Sequence, residues 1–460
     1  MKKSKQEDGF RLPFEVDSQV DDSLITAHAG VPLAIELFRS LGLSALTDAE
    51  VAVKQRDRGL KVSGLLESFF ALWLCGGDRC EDFRRLRADV ALAKLIGHEF
   101  PAPNTARDFL SLFHEDDLPL WHAGEKASIP SESSGVRGLG LVNAELIRRL
   151  QEECPSPTAT LDLDATILES SKRSAKRTYE GTRGYQPAVV LWAEQDVVLA
   201  DEFRDGNVPA GCGNVRVLSQ ALSQLPPGVE RIYLRADTAL YEHEVMDFCE
   251  ARGIGYAISA DVTPSLRSAL KLVDENEWRV YKEESERVLE WAEVAFVPSD
   301  GNWNRDRGCR RYLGIRVASR QKDFVDGTVE KYFAVVTNRE GDGGELIDWH
   351  REKCGTIEHT HHVLKNELSA ECLPSSDQFG ANAAWFRMNI LLYNLLSFLK
   401  QAVLPGEFLT ARPKRLRFIL FNVVGKVVNH AREMIVRMGS QVEIGLFNLV
   451  RGRSRALCRC

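Results

Sequence analysis

The apolar positions of this chain change their period along its length. From residue 24 to 125 they recur at helical spacing, at Leu33, Ile35, Leu37, Leu41 and Leu43 and again at Leu65, Leu66, Phe69, Phe70, Leu72 and Leu74, which predicts a small helical domain. Asn104 or Thr105 is the expected cap of a further helix running through Phe109, Leu110 and Phe113 to about His114. The polar, Ser-rich stretch from Ala127 to Gly138 reads as a linker. Beyond it the period falls to two. Ala159, Leu161 and Leu163 share one face of a strand and Thr160, Asp162 and Asp164 the other. Ala188 to Trp192, Val197 to Phe203, Arg231 to Ala236 and Gly255 to Ser259 read as further strands, with helical patterns around Val217 to Leu225 and Ala239 to Ala251. Strands that alternate with helices predict an α/β fold with a mixed sheet. Four strand-like runs follow with no long helix among them: Trp278 to Tyr281, Val288 to Val297, Arg311 to Ala318 and Tyr332 to Thr337. They predict a β-rich insertion. From about Leu346 the pattern is helical again, including the strongly apolar Ala383 to Val403, and no internal repeat is present.

Composition bounds the class. With 460 residues, 44% hydrophobic and 27% charged, the chain can bury a sizeable core, and at roughly 150 residues per domain two or three domains are expected. The best membrane candidate, Val62 to Cys75, is short of the ~20 residues a span needs and contains Ser63, Glu67 and Ser68. The start, Lys2 to Asp8, has no apolar segment behind it, so a cytoplasmic address with no membrane contact is expected. The 10 Cys lack a repeated CxxC pair and read as reduced thiols, with Cys458 and Cys460 in an unstructured end. A net charge of −7 excludes a uniformly basic nucleic-acid coat protein. Residues 411 to 460 nevertheless hold eleven Lys or Arg against Glu433 and Glu443, so +9 sits on the tail and −16 on the rest. Such a tail suits local contact with a polyanion, or else a solvated helix surface with a frayed end.

Acidic residues stand where strands and helices would display them: Asp162 and Asp164 on one strand face, Asp237 at the end of Arg231 to Ala236, and Glu358 on a helix from Thr356 to Leu368. A carboxylate trio from separate elements is what hard divalent ions require, and two Mg²⁺ ions about 4 Å apart can activate an attacking oxygen and stabilise a leaving one at a phosphodiester. The alternative is that each carboxylate is a cap or a surface charge. Helical spacing places Arg351, Cys354, Glu358, His362 and Lys365 on one face, so the Glu has cations beside it. Lys172, Arg173, Lys176, Arg177 and Arg183, interleaved with Tyr179 and Tyr185, offer a second phosphate-contacting surface, and Arg84, Arg85 and Arg87 a further basic cluster. A hydrolase built on Cys354 with His361 or His362 has no evident oxyanion element, and Cys354, His359, His361 and His362 match no common zinc spacing.

The strings LDLDATILESSKRSAKRTYEGTRGYQP from 161, EFRDGNVPAG from 202, RADTALY from 235, VTN from 336 and HREKCGTIEHTHHVLKNEL from 350 resemble the DDE transposases of bacterial insertion sequences, in the branch with a β-rich insertion before the catalytic Glu. The resemblance covers roughly residues 25 to 405. It implies an RNase H-like catalytic core over 139–262 and 344–405, interrupted by a β-rich insertion at 263–343 and preceded by an all-α DNA-binding domain at 1–126; the charge pattern adds a basic helical region at 406–460. It implies Asp164, Asp237 and Glu358 as catalytic ligands of two Mg²⁺, with Mn²⁺ as a substitute. Asp162 is the rival for the first position; Asp164 is favoured because the family's Asp is followed closely by Thr, here Thr166. The family's final-helix signature is Tyr, Arg, Glu, Lys. Glu358 and Lys365 keep that spacing, whereas Cys354 and Arg351 occupy the Arg and Tyr positions, so Arg351 or Lys353 is left to supply the cation. In some relatives an insertion Trp stacks on a flipped base; Trp278, Trp291 and Trp303 are the candidates here. The implied activity is binding of terminal inverted repeats, DNA cleavage and transfer of 3′-OH ends to target DNA, by a homodimer in a synaptic complex. A nuclease on the same core without strand transfer, and a domesticated non-catalytic DNA-binding protein, are the alternatives.

Overall fold

The computed structural model describes residues 24–54, 58–123, 127–298, 310–319, 330–430 and 433–458. Lys2 to Asp8, Trp303, Arg432, Arg459 and Cys460 lie outside them. Its centre is one mixed sheet built from β1 (Thr158–Ala165), β2 (Ala188–Trp192), β3 (Val197–Glu202), β4 (Arg231–Ala236), β5 (Gly255–Ser259), β6 (Arg279–Glu283), β7 (Arg287–Val294), β8 (Arg311–Ser319) and β9 (Lys331–Thr337). The order across the sheet is β6-β7-β8-β9-β5-β4-β1-β2-β3. β4 runs parallel to β1 and to β5, while β2 and β3 are antiparallel additions on the other side of β1. β2 is buried at every position and β1 and β3 at five each, as befits strands covered on both faces, and their Ala-, Val- and Leu-rich sequences follow from that burial.

The β-rich insertion does not form a separate layer. β9 pairs antiparallel with β5, Ala257 opposite Thr337, and β8, β7 and β6 continue outward from it, so the insertion extends the central sheet.

The helices are α1 (Val31–Ser40), α2 (Leu43–Glu50), α3 (Val62–Cys75), α4 (Phe83–Ala88), α5 (Val90–Ile96), α6 (Pro103–Ser111), α7 (Ser134–Glu153), α8 (Asn214–Gln224), α9 (His243–Glu250), α10 (Pro264–Lys271), α11 (Gly343–Arg351), α12 (Lys353–Glu367), α13 (Phe379–Phe398), α14 (Pro413–Leu416) and α15 (Gln441–Ala456). α13 is apolar around its whole circumference because it is buried around its whole circumference. Polar side chains on it bind across the core: Arg387 to Asp201 and Glu132, and Asn394 to Asn143 and Val198. The N-terminal helices share this core, since Phe69 and Trp73 of α3 meet Trp385 of α13 edge-to-face. No helix among the described residues is long and apolar enough to cross a membrane.

Five local expectations are corrected. Residues 127 to 138 are not a linker: Ser128–Pro130 pairs with Leu120–His122, and Ser133 caps α7, its Oγ accepting from Val136 N. The Ser cluster was a helix-start signal. Gly138 is there because a Cβ would lie 2.3 Å from the Glu50 carbonyl oxygen, where α2 crosses α7. α6 starts at Pro103 with Ala102 as its cap, so Asn104 and Thr105 fall inside the first turn; proline's fixed φ suits the first helical position. The region from 406 onward is not purely helical. Gly425–His430 and Glu433–Met438 form a hairpin whose edge pairs with Ile25–Thr26, which also places a strand within the N-terminal region. The β-branched and alternating Val427, Val428, Ile435 and Val436 carry that hairpin. The basic end is not frayed either, because Arg451 and Arg455 on α15 hold Glu36 on α1, and Cys458 lies exposed just past that helix. Finally, Arg351 is not on the helix of Glu358. It closes α11, and Glu352 separates it from α12.

Candidate active site

Parallel pairing of β1 with β4 sets the site. The register puts Leu161 beside Leu234, Asp162 beside Arg235 and Leu163 beside Ala236; one step further, the same register brings the ends carrying Asp164 and Asp237 side by side. The two aspartates of β1 thereby receive different neighbours. Asp162 is fully buried and takes a two-pronged contact from Arg235, Nε to Oδ1 at 2.7 Å and Nη2 to Oδ2 at 2.9 Å, with the Thr356 hydroxyl also donating to it. Arg235 is itself buried and donates further to the Trp349 carbonyl and to Glu352, both at 2.9 Å. Both carboxylate oxygens of Asp162 thus accept hydrogen bonds from within the fold.

Asp164 has no such partner. Burial pushes its carboxyl pKa up to about 6; Lys353 opposes the shift, and Asp237 and Glu358 add to it by repulsion. Lys353, buried at the start of α12, is therefore the cation nearest the acidic group in effect. Arg351 lies over the Tyr281 ring at 5.6 Å. Asp237 caps the turn Thr238–Leu240, its Oδ1 accepting from Ala239 N at 3.0 Å. Behind it, buried His350, its pKa lowered by burial to about 4, is neutral and donates from Nε2 to the Ala236 carbonyl at 2.9 Å, fixing the end of β4. Glu358 is exposed on α12. Partial burial and a hydrogen bond to Glu358 push the Cys354 thiol pKa up, the reverse of what a thiolate nucleophile needs.

His361 was no part of the expected triad, yet it faces it. The side chain is 8% exposed, and Nε2 lies 3.8 Å from Asp164 Oδ2. Neither ring nitrogen has a hydrogen-bond partner. Burial, aided by Lys365 and Lys353, lowers its pKa to about 3, so it is neutral. Among the described residues no three or more His, Cys, Asp or Glu side chains stand close enough together to hold a metal ion as they are placed. The donor chemistry nonetheless fits a hard divalent cation: carboxylates that repel one another, and a buried polar atom without a partner.

The family model described as transposase DDE domain group 1 matches residues 13–448. The chain belongs to the DDE-domain transposases. No curated protein matches it. Among solved structures, the piggyBac transposase synaptic complex with hairpin DNA, determined by cryo-electron microscopy, superposes with a TM-score of 0.41 at 11% identity, covering 85% of this chain and 79% of that one.

In this DDE-domain chain a groove of about 1360 Å³ is lined by Ala165, Thr166 and Ile167, which follow Asp164 in the chain; Asp164, Asp237 and Glu358 are not part of its lining. Its walls include Thr166, Lys172, Tyr179 and Lys365 from the sheet side and Arg79 and Arg107 from the helical side. Its charge is mixed, because Glu81, Glu169 and Glu371 line it too and Arg107 is paired with Glu81. Lys365 donates to the Ile167 carbonyl at 2.8 Å. Lys176 and Arg177 are exposed, as are Arg84, Arg85 and Arg87 on α4. Arg173 pairs with Asp377 at 2.5 Å, and Arg183 spends its guanidinium on the carbonyls of Ala175 and Arg173. Tyr179 is 75% exposed, whereas Trp278 and Trp291 are buried. A Cβ at Gly343 would lie 2.3 Å from the Trp291 ring, so α11 covers that indole and keeps it from any base.

Proposed function

We propose that the chain is the transposase of a bacterial insertion sequence, acting in the cytoplasm as a homodimer that holds two terminal inverted repeats, cleaves them and joins their 3′-OH ends to target DNA. Its catalytic core is RNase H-like; the strand order β3-β2-β1-β4-β5, with β1, β4 and β5 parallel, supports that reading. Asp164, Asp237 and Glu358 are the catalytic carboxylates and would hold two Mg²⁺, or Mn²⁺ in their place. The observation that carries the reading is the pair of strand ends at Asp164 and Asp237, where buried negative charge is left without an arginine.

Bound divalent ions supply Lewis-acid charge for an attacking oxygen and a departing one. The protein's own residues do the rest. His350 fixes the backbone beneath Asp237, Asp162 and Arg235 lock β1 to β4, and Lys353 offsets part of the acidity. Lys172 and Lys365 in the groove and the exposed Lys176 and Arg177 hold backbone phosphates, while Arg173 and Arg183 are held by Asp377 and by backbone carbonyls and Arg351 by the Tyr281 ring. The helical residues 1–126 read the repeats.

The test is a plasmid carrying a marker between the element's terminal repeats. Wild type excises and integrates it; Asp164→Ala, Asp237→Ala and Glu358→Ala each lower both by ~10³-fold or more, as loss of a group acting on the transition state does. Mobilisation by the alanine variants would discard the triad. Cutting without joining would favour the nuclease.

A further inference from the structure

We propose that His361 is a ligand of the divalent cation held by Asp164, contributing ring nitrogen Nε2 beside the carboxylate. The inference rests on the metal-site reading above and adds to it a nitrogen donor that the three carboxylates do not include.

A buried polar atom without a partner costs ~1–3 kcal/mol, and His361 carries two on one ring. Such an arrangement persists where something outside the protein's own hydrogen-bond network satisfies it. Its surroundings say what. The charged oxygen facing Nε2 is Asp164 Oδ2 at 3.8 Å, beyond the ~3.2 Å limit of a good N–H···O bond. A cation shared by the two groups satisfies both, since ligands with ~2.1 Å bonds to one ion stand ~3 Å apart. Helix geometry agrees: His361 follows Glu358 by three residues on α12, so the two belong to neighbouring positions on the helix surface. An imidazole nitrogen in a carboxylate set also tilts selection from Mg²⁺ toward ions later in the transition series, beginning with Mn²⁺.

The experiment is pulsed electron paramagnetic resonance on the full-length protein loaded with Mn²⁺ alone. Wild type is expected to show ¹⁴N modulation of the Mn²⁺ signal, replaced by a ¹⁵N pattern on labelling with ¹⁵N-histidine. His361→Gln loses that modulation and binds Mn²⁺ about tenfold more weakly, with a smaller loss for Mg²⁺; His362→Ala, one position on, keeps both. A wild-type spectrum without nitrogen coupling overturns the inference with no variant required, and so does coupling that persists in His361→Gln. If Asp164→Ala leaves Mn²⁺ affinity unchanged, the metal site itself fails, an outcome distinct from a nitrogen-free ion at Asp164.

Discussion

Asp162 and Asp164 stand two residues apart on one face of β1, and the protein treats them as opposites. Around Asp162 an arginine, a hydroxyl and complete burial make a closed network. Around Asp164, burial and the like charges of Asp237 and Glu358 outweigh Lys353 and a hydrogen bond from the Ala165 N–H, and the carboxyl pKa is pushed up to about 6. The lesson is that a buried charge answered from within is architecture, whereas one answered by more charge of its own sign awaits a ligand.

The sharpest way to break that comparison is Arg235→Ala. It strands Asp162 as a buried charge without its partner, and losing one member of such a pair costs ~3–5 kcal/mol. Denaturant unfolding of the variant checks it; a loss below ~1 kcal/mol would mean that Asp162 is not the structural half of the pair.

Asp164→Asn is expected to act in the other direction. The folded state raises this carboxyl from 3.8 to about 6, so it binds a proton more tightly than the unfolded chain does. Between those values stability falls as pH rises, and above about 6 the full penalty is present. Removing the charge should stabilise the metal-free protein by roughly 1–3 kcal/mol at pH 7.5, the scale of a two-unit shift after some solvent screening. The gain should vanish below about pH 4. Thermal melts of both proteins at the two pH values decide it, and a stabilisation that does not depend on pH would sink the argument.

The carboxylates proposed for the site stand out in the sequence because strand period and strand end are local signals. Thr158 to Asp164 alternates, and Asp237 closes a run of six strand residues. What separates Asp162 from Asp164 is the register between β1 and β4, strands 73 positions apart, and no local pattern contains it. His361 was passed over for a related reason. Its spacing from Glu358 was visible, but its burial and its orphaned nitrogens depend on how α12 lies on β1. The same blindness affected the cations. The +9 of the tail suggested a polyanion surface, yet Arg451 and Arg455 hold Glu36, Arg412 holds Glu367 and Arg417 donates to the Trp73 carbonyl. A count of charges cannot distinguish a cation at work inside the fold from one facing outward. The hairpin at 425–438 was hidden by that count as well, since its β-branched residues lie among the arginines.

The smallest expected effect extends the comparison to the basic segment. Lys172 lines the groove that begins at Ala165, whereas Arg183, eleven residues on, is spent on backbone carbonyls of the loop that carries Lys172. Neutralising a residue that touches one phosphate removes about one released counterion, so Lys172→Ala should lower the slope of log affinity against log salt by ~0.9 and weaken a repeat-end duplex a few-fold at moderate salt. Arg183→Lys keeps the charge but loses the fork that grips several carbonyls at once. It should therefore leave the salt slope unchanged while making the Lys172 loop more open to proteolysis. Fluorescence anisotropy over a salt series, paired with limited digestion, separates the two. If Arg183→Lys alone alters the slope, or Lys172→Ala leaves it flat, the division between cations that build and cations that bind does not extend beyond β1.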